Sequence, residues 1–512
     1  FDCQPLSIMS SSDSSSGPLI FASSCMAFSF YSCLKKNQDL ERQRAQKALV
    51  SSPPIHVHSK CSEGDITLHQ IQNLSATMPS ANIKNSEKYF HMLKSDDYVM
   101  GSILLNSGTK KLKPEAFVRA GPREVLHFDP TRVRAAVVTC GGLCPGLNNV
   151  IREVTLSLLK HYKVEHVMGI RGGFNGMTTS DFEVISLTRD VVKDCHHQGG
   201  SILGSSRGGF DIPKMLAFLD RHRINQLYVI GGDGTHRGAN ALSEACTERK
   251  LNIAIIGIPK TIDNDIDLID RSFGFQTSVE AAQDAILSAK TEARCNLPNG
   301  IGIVKLMGRS SGFIATYASL ASGDIDLCLI PEIVLTDELL RGPDGYLAFL
   351  LRRVQERGHA VVVVAEGAGE ELCGKSAEVD KGGNRKLPKI GEFIKNEIAT
   401  YFGERNIPNT VKYIDPSYMI RSVPANASDA MFCVILAQNA VHGAMAGFTA
   451  FSVGLVNNRV VYIPISRIVE NSPRMMNARG HTWQRILSTT MQPQRPLSPA
   501  AVGESFADKP FI

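Results

Sequence analysis

The chain predicts an α/β protein of two doubly wound (Rossmann-like) parallel-sheet lobes, with the active site in the cleft between them. Two observations carry this. From about residue 134 onward, short β-branched runs ending in Gly, Asp or Pro alternate with amphipathic stretches, as in parallel strands covered by helices on both faces. About eight such units are present, more than one sheet holds comfortably, which divides them between two lobes. Ligands are then expected at the carboxyl ends of the strands, where every Gly/Asp cluster below falls.

The first hundred residues lack that pattern. Residues 10–16 are nearly all serine, acidic side chains are scarce before Asp39, and Lys35, Lys36, Arg42, Arg44 and Lys47 follow or precede it closely. Ser-rich, acid-poor and basic is the composition of an organelle transit peptide. Residues 1–100 are therefore expected to be a disordered leader directing the chain to the plastid stroma, with the cytoplasm as the alternative. The chain opens on Phe1, so its natural start is expected upstream. Residues 18–34 lean apolar, but Ser23, Ser24, Ser29 and Ser32 interrupt them and no basic region precedes, so no membrane span is expected.

Strands are expected at 134–139, 226–230, 252–256, 301–306, 326–330, 360–365, 411–414 and 459–463, with helices opening near Asn148 and from about Arg237. Residues beyond about 492 are Pro-rich and read as a loose tail. Apolar residues make up 43% and charged residues 21%, the balance of a soluble globular chain with large cores. The 55 basic against 50 acidic residues leave +5, too mild and too evenly spread for a nucleic-acid partner. The 12 cysteines form no CxxC pair, and Cys140 and Cys144 have no matching second pair, which argues against zinc. Cys328 and Cys433 lie in apolar segments and read as reduced core residues, which favours a reducing compartment.

Four strings carry chemistry. Gly141-Gly142-Leu143-Cys144-Pro145-Gly146-Leu147-Asn148 follows a strand and opens a helix, where glycines let backbone amides approach an anion. Many such turns are glycine-rich for steric reasons alone. Gly231-Gly232-Asp233-Gly234-Thr235 suits a polyphosphate on backbone amides with Asp233 on Mg²⁺. A tight turn capped by Asp233 or Thr235 is the structural alternative. Gly204-Ser205-Ser206-Arg207-Gly208-Gly209 places Arg207 where it could bridge donor and acceptor phosphates, although most loop arginines are simply solvated. Pro259-Lys260-Thr261-Ile262-Asp263-Asn264-Asp265-Ile266-Asp267 sets three acids at alternating positions. They repel unless a metal or cation is near, and kinase chemistry needs a carboxylate to accept a hydroxyl proton beside a metal-bound phosphate. A solvated acidic loop or a calcium-type site is the alternative.

The string from Thr261 to Asp265 resembles the signature of the ATP- and pyrophosphate-dependent 6-phosphofructokinases. It is joined in order by the two glycine turns, by Met307-Gly308-Arg309, by Glu366-Gly367 and by Tyr418-Met419-Ile420-Arg421. The likeness spans roughly residues 134–465, and the strings at 413–421 and 425–429 look most like the plant-type branch.

The resemblance implies phosphoryl transfer from ATP, with Mg²⁺, to the 1-hydroxyl of fructose 6-phosphate, a step of glycolysis. By it, Asp263 is the general base, Thr261 contacts the transferring phosphate, and Asp233 binds the metal, with Asp265 helping. Gly142, Arg207, Gly208, Gly232, Asp233, Gly234 and Thr235 cradle the donor. Met307, Gly308 and Arg309 hold the sugar phosphate together with Ile262. Glu366 takes a sugar hydroxyl, and Tyr418, Met419, Ile420 and Arg421 complete the 6-phosphate pocket. Residues 101–133 become an N-terminal extension, 134–272 the nucleotide lobe, 273–410 the fructose 6-phosphate lobe, 411–490 a closing segment and 491–512 the tail. A homo-oligomer (dimer or tetramer) or an assembly with paralogues is implied, with neither nucleic acid nor membrane as partner.

Two positions bear on the donor and disagree. Gly234 matches nucleotide users, where pyrophosphate users carry an aspartate that would repel an α-phosphate. Lys260 matches the pyrophosphate pattern. The plant-type enzymes pair this glycine with this lysine and use ATP, so ATP is expected. The chain departs from bacterial relatives at Gly300, where they supply an intersubunit arginine, at Tyr418 for histidine and at Lys412 for arginine. Two other functions compete. A silent regulatory subunit would be free to lose Asp263, Asp233 and Arg309, which are present. An NAD or lipid kinase would share residues 231–235 and leave the strings at 307–309 and 418–421 unexplained.

Overall fold

The computed structural model describes residues 66–86, 92–101, 114–374, 378 and 386–494. The transit-peptide reading of residues 1–65 lies outside the described residues. Two large sheets with helices between and around them, and a two-stranded sheet of Ile83–Lys84 with Val125–Leu126, form the described part.

The larger sheet has ten strands, and its centre is parallel. Arg134–Thr139 lies between His166–Ile170 and Gln226–Gly231, followed by Ala254–Pro259 and then Phe451–Val456. Ala135, Ala136, Val137 and Val138 have 0% exposure, as a strand covered on both faces requires. The order runs outward from Arg134–Thr139 in both directions, which is what double winding means. Mostly antiparallel pairings finish the edges. Phe451–Val456 turns through Asn457 and Asn458, both at positive φ, into Arg459–Pro464, the two-residue turn that matches strand twist. Glu115–Arg119 then pairs with Arg459–Pro464 and carries Thr67–His69 and Tyr98–Met100, while Val184–Ser186 closes the other edge.

The smaller sheet is wholly parallel, in the order Leu327–Leu329, His359–Ala365, Gly300–Leu306, Thr410–Ile414. The helix Phe275–Cys295 lies directly on Gly300–Leu306. Gly300 and Gly302 make that approach possible, because a Cβ there would sit 2.0 Å from Ala293 O and 2.5 Å from Ala289 O. One apolar core runs from Val137 and Ile256 through Phe275 and Phe313 to Val304 and Val363, so both sheets share it.

Several expectations need correction. The disordered leader does not extend to residue 100: Thr67–His69, Ile83–Lys84 and Tyr98–Met100 are paired strands. The loose tail does not begin at 491. Gln492 is buried, its Oε1 accepting from Cys328 N at 2.8 Å and its Nε2 donating to Cys328 O at 3.0 Å. That side chain completes the outer strand of the smaller sheet, which a Pro-rich composition could not reveal. Sheet size was a poor reason for two sheets, since one of them takes ten strands. The expected 252–256 strand is Ala254–Pro259. The helix expected from Arg237 begins at Asp233, immediately after Gly232.

Candidate active site

Three glycine turns meet at the carboxyl ends of the larger sheet. Gly141 and Gly146 hold φ of +86° and +96°, and Gly146 is the cap of the helix Leu147–Leu156. A side chain at Gly146 would run into Cys433 Sγ at 2.8 Å. The loop at 204–209 folds against this turn: Gly141 N donates to Ser206 O at 3.0 Å, and Ser205 Oγ donates to Gly141 O at 2.6 Å. Arg207 and Gly208 at its tip are exposed, with Gly208 at φ +80°.

The helix Asp233–Glu248 starts on Gly232, so the amides of the sequence Asp233-Gly234-Thr235 are those a helix leaves unpaired. Asp233 pairs with Arg237 one turn on. Gly231 is packed on Thr235, whose side chain a Cβ would meet at 2.4 Å, whereas a Cβ on Gly234 would meet nothing within 4 Å. His236 is buried behind them between Gly232 O and Ser452 Oγ, each 2.9 Å away.

Lys260 follows Ala254–Pro259, and its buried Nζ donates to Gly142 O at 2.7 Å. Burial pulls its pKa down, with Cys144, Cys140 and Asp263 opposing. In the acidic loop Thr261 Oγ1 donates to Asp265 Oδ1 at 2.7 Å and accepts from Asp263 N at 3.2 Å. Asn264 takes φ +56° and ties the loop to Ser272, accepting from Ser272 N at 2.8 Å. Ile262 is buried at 6% exposure.

The smaller sheet contributes the opposite wall. Gly308 has φ +132° and Gly367 N donates to Gly308 O at 3.1 Å, which binds the sequence Met307-Gly308-Arg309 to the turn after His359–Ala365. Met307 packs on the core. Glu366 N donates to Leu306 O at 2.9 Å, which fixes that carboxylate beside Lys305, itself paired with Asp415 at 2.7 Å. In the short helix Ser417–Arg421, Ile420 is fully buried while Tyr418 and Met419 are exposed. The Arg421 guanidinium lies 4.9 Å from the Tyr418 ring and reaches the first glycine turn, where a Cβ on Gly142 would be 3.9 Å from Nη1.

These walls act on each other. Burial pushes the Asp263 carboxyl well above the usual range, Asp265 and Glu366 push it further, and Lys260 and Arg309 pull it back. Asp265 is raised by burial and by Asp233, against the Thr261 hydrogen bond. Glu366 is raised by burial, against Lys305 and Arg309. Asp263 Oδ1, Arg309 Nη2 and Arg421 Nε are shut from solvent without a hydrogen-bond partner. A buried carboxylate oxygen and two buried guanidinium nitrogens left without partners suit a ligand that is both anionic and hydroxylated. Burial sends the Cys140 and Cys144 thiols to about 12, so neither is a nucleophile.

Residues 134–444 match the family model described as phosphofructokinase. The chain belongs to the phosphofructokinase family. It is 50% identical over 380 residues to a protein named ATP-dependent 6-phosphofructokinase 7 from Arabidopsis thaliana, covering 74% of this chain and 77% of that one. It is 48% identical over 375 residues to ATP-dependent 6-phosphofructokinase 5, chloroplastic, of the same plant, covering 73% and 69%. The fold is shared with a pyrophosphate-dependent phosphofructokinase from Marinobacter aquaeolei at TM-score 0.58 and 21% identity, over 74% of this chain and 97% of that one.

The phosphofructokinase strings do not include every residue at this site. Arg474, Ser472 and Glu332 hold its loops: Ser472 and Arg474 lie beyond residue 465, where the likeness ends, and Glu332 lies within it but in none of its strings. The only sequence signal was an arginine after a proline, which singles out nothing. Among the described residues no group of three or more His, Cys, Asp or Glu side chains is arranged to hold a metal, and no helix is long and apolar enough to cross a membrane.

Proposed function

We propose that the chain transfers the γ-phosphoryl group of ATP to the 1-hydroxyl of fructose 6-phosphate, giving fructose 1,6-bisphosphate and ADP in glycolysis. One observation carries this reading. The Asp263 carboxylate, with Oδ1 left unpartnered, sits in the joint field of Lys260 and Asp265 from the larger sheet's loops and of Arg309 and Glu366 from the smaller sheet's.

In this reading Asp263 accepts the proton of the 1-hydroxyl as its oxygen attacks phosphorus and the bond to ADP breaks. Thr261 lies next to the transferring group. The amides of 232–235 and of the 142 turn, with Arg207 and Gly208, hold the donor, and Arg309, Arg421 and Glu366 hold the sugar phosphate. Arginine suits that task because its fork matches phosphate oxygens. Asp233 and Asp265, two mutually repelling carboxylates, fit Mg²⁺, which takes one or two carboxylates together with substrate phosphates. When bound, that ion neutralises charge on the donor.

ATP is the donor favoured by Gly234, where open space leaves room for an α-phosphate, and by the names of the relatives. Lys260 favours pyrophosphate as the second reading. The plastid stroma is the proposed location, supported by the leader's composition and the chloroplastic relative. A homo-oligomer, dimer or tetramer, belongs to the same reading, with exposed Tyr418 and Met419 as the surface beside the pocket. The test is purified chain with fructose 6-phosphate and Mg²⁺, offered ATP or pyrophosphate in parallel. ADP and fructose 1,6-bisphosphate are expected with ATP. Turnover only with pyrophosphate overturns the donor, and turnover with neither overturns the reading.

A further inference from the structure

The acidic loop has no regular secondary structure between Pro259 and the helix Phe275–Cys295. Lacking a ladder, its backbone groups find partners in side chains of the loop itself, as Asp263 N does in Thr261 Oγ1, or outside the loop. A single stretch, residues 472–474, supplies many of them. Ser472 Oγ accepts from Asp267 N at 3.0 Å, and Arg474 N donates to Asp265 O at 2.6 Å. The Arg474 guanidinium donates through Nε to Asn264 O at 3.2 Å, through Nη1 to Ile269 O at 2.8 Å and through Nη2 to Asp270 O at 3.4 Å. A planar fork of five donors can tie both sides of one loop together, which no other side chain can do.

The same stretch also reaches the opposite wall. Arg474 lies 5.1 Å from the ring centroid of Phe313, the first residue of the helix that follows the Arg309 loop. Two residues on, Met476 N donates to Glu332 Oε1 at 2.8 Å, and that carboxylate also accepts from Gly312 N at 2.9 and 3.1 Å. Asp263 sits between these grips, its carbonyl accepting from Ser311 Oγ at 3.4 Å.

We propose that Arg474 is a positioning residue for phosphoryl transfer, fixing the acidic loop so that Asp263 faces Arg309 and the sugar hydroxyl. This rests on the function proposed above. Arg474 lies beyond residue 444, where the match to the family model ends, so the matched segment does not contain its own clamp. Proton abstraction is sensitive to placement: a shift of about 1 Å costs about a hundredfold in rate. Loosening the loop therefore lowers turnover more than it lowers binding by the glycine turns and arginines, which have supports of their own.

The test uses the full chain and three variants, Arg474→Lys, Arg474→Met and Ser472→Ala, with kcat, both KM values and melting temperature measured for each. Arg474→Lys keeps the charge but loses the fork, and its kcat is expected to fall about tenfold, with Arg474→Met falling about a hundredfold and Ser472→Ala about threefold. KM for ATP and for fructose 6-phosphate should each stay within about threefold of wild type. A purely structural arginine would lower the melting temperature and leave kcat per folded molecule intact. A kcat for Arg474→Lys equal to wild type, or a loss confined to KM or melting temperature, overturns the inference. If Arg474→Met does not fold, Arg474→Lys and Ser472→Ala decide by the same criteria. An inactive wild type sinks the functional reading and this inference with it, whereas an active wild type with fully active variants sinks the inference alone.

Discussion

The two walls of the site are built on opposite principles. On the larger sheet, the proposed recognition lies in backbone shape: Gly141 and Gly146 at positive φ, Gly232 capping a helix, and Gly231 packed so closely on Thr235 that no side chain fits. On the smaller sheet and in the acidic loop, it lies in charges held ready, since Asp263 Oδ1, Arg309 Nη2 and Arg421 Nε are buried without partners. Each such atom costs about 1–3 kcal/mol when nothing satisfies it. The first wall should therefore fail when atoms are added, and the second when charge is removed.

The largest effect should come from removing charge. Asp263→Asn keeps the shape and abolishes the base, so kcat should fall by about 10²- to 10⁴-fold, with both KM values little changed. The variant should melt no lower than wild type, because burial already disfavours the carboxylate there. Steady-state kinetics alongside a thermal melt checks both halves, and near-normal turnover would remove the base assignment.

The donor side is tested by adding charge at Gly234, where a Cβ meets nothing within 4 Å. Gly234→Asp should fold as the wild type does, so any loss reports on the donor rather than on packing. KM for ATP should rise about fivefold or more, since one unit of like charge near a phosphate is worth at least about 1 kcal/mol at close range. KM for fructose 6-phosphate should not move. Equal rises in both would mean that the two walls are not separate, and unchanged ATP affinity would undo the donor argument.

The same division explains what could be read from the sequence. A glycine between a β-branched run and a helix has a local meaning, so the turns at 141–148 and 231–235 stood out, as did the acids at 263, 265 and 267. Three of the central strands were legible for the same local reason, and the expected and observed bounds of Arg134–Thr139 coincide, whereas His166–Ile170 and Phe451–Val456 were not expected. Arg474 and Glu332 have no local meaning. Arg474 Nε finds Asn264 210 positions away, and Met476 finds Glu332 144 positions away. Gln492 completing the strand Leu327–Leu329 across 164 positions is a third case. Contacts of that kind become visible only when the chain is folded.

Glu332 is read in stability rather than in turnover, and it gives the sharpest contrast between the walls. Burial lifts its carboxyl from 4.5 to about 7, against the backbone N–H donors of Gly312 and Met476 that favour the charged form. Between those two pH values the folded chain keeps a proton that the unfolded chain has released. Stability from this group therefore falls as pH rises through the window and levels off above about 7, by an amount on the order of 3 kcal/mol. Glu332→Gln cannot titrate. The stability of wild type relative to Glu332→Gln, followed by denaturant unfolding from pH 5 to pH 7.5, should therefore decline with rising pH. Glu332→Gln also turns its amide donors toward one of the same N–H groups, which costs about 1 kcal/mol at every pH and moves the offset without changing the slope. A difference that stays constant across the window would mean that Glu332 ionises as an ordinary surface carboxylate does. The wall built on the smaller sheet would then hold its loops without the cost of a buried charge.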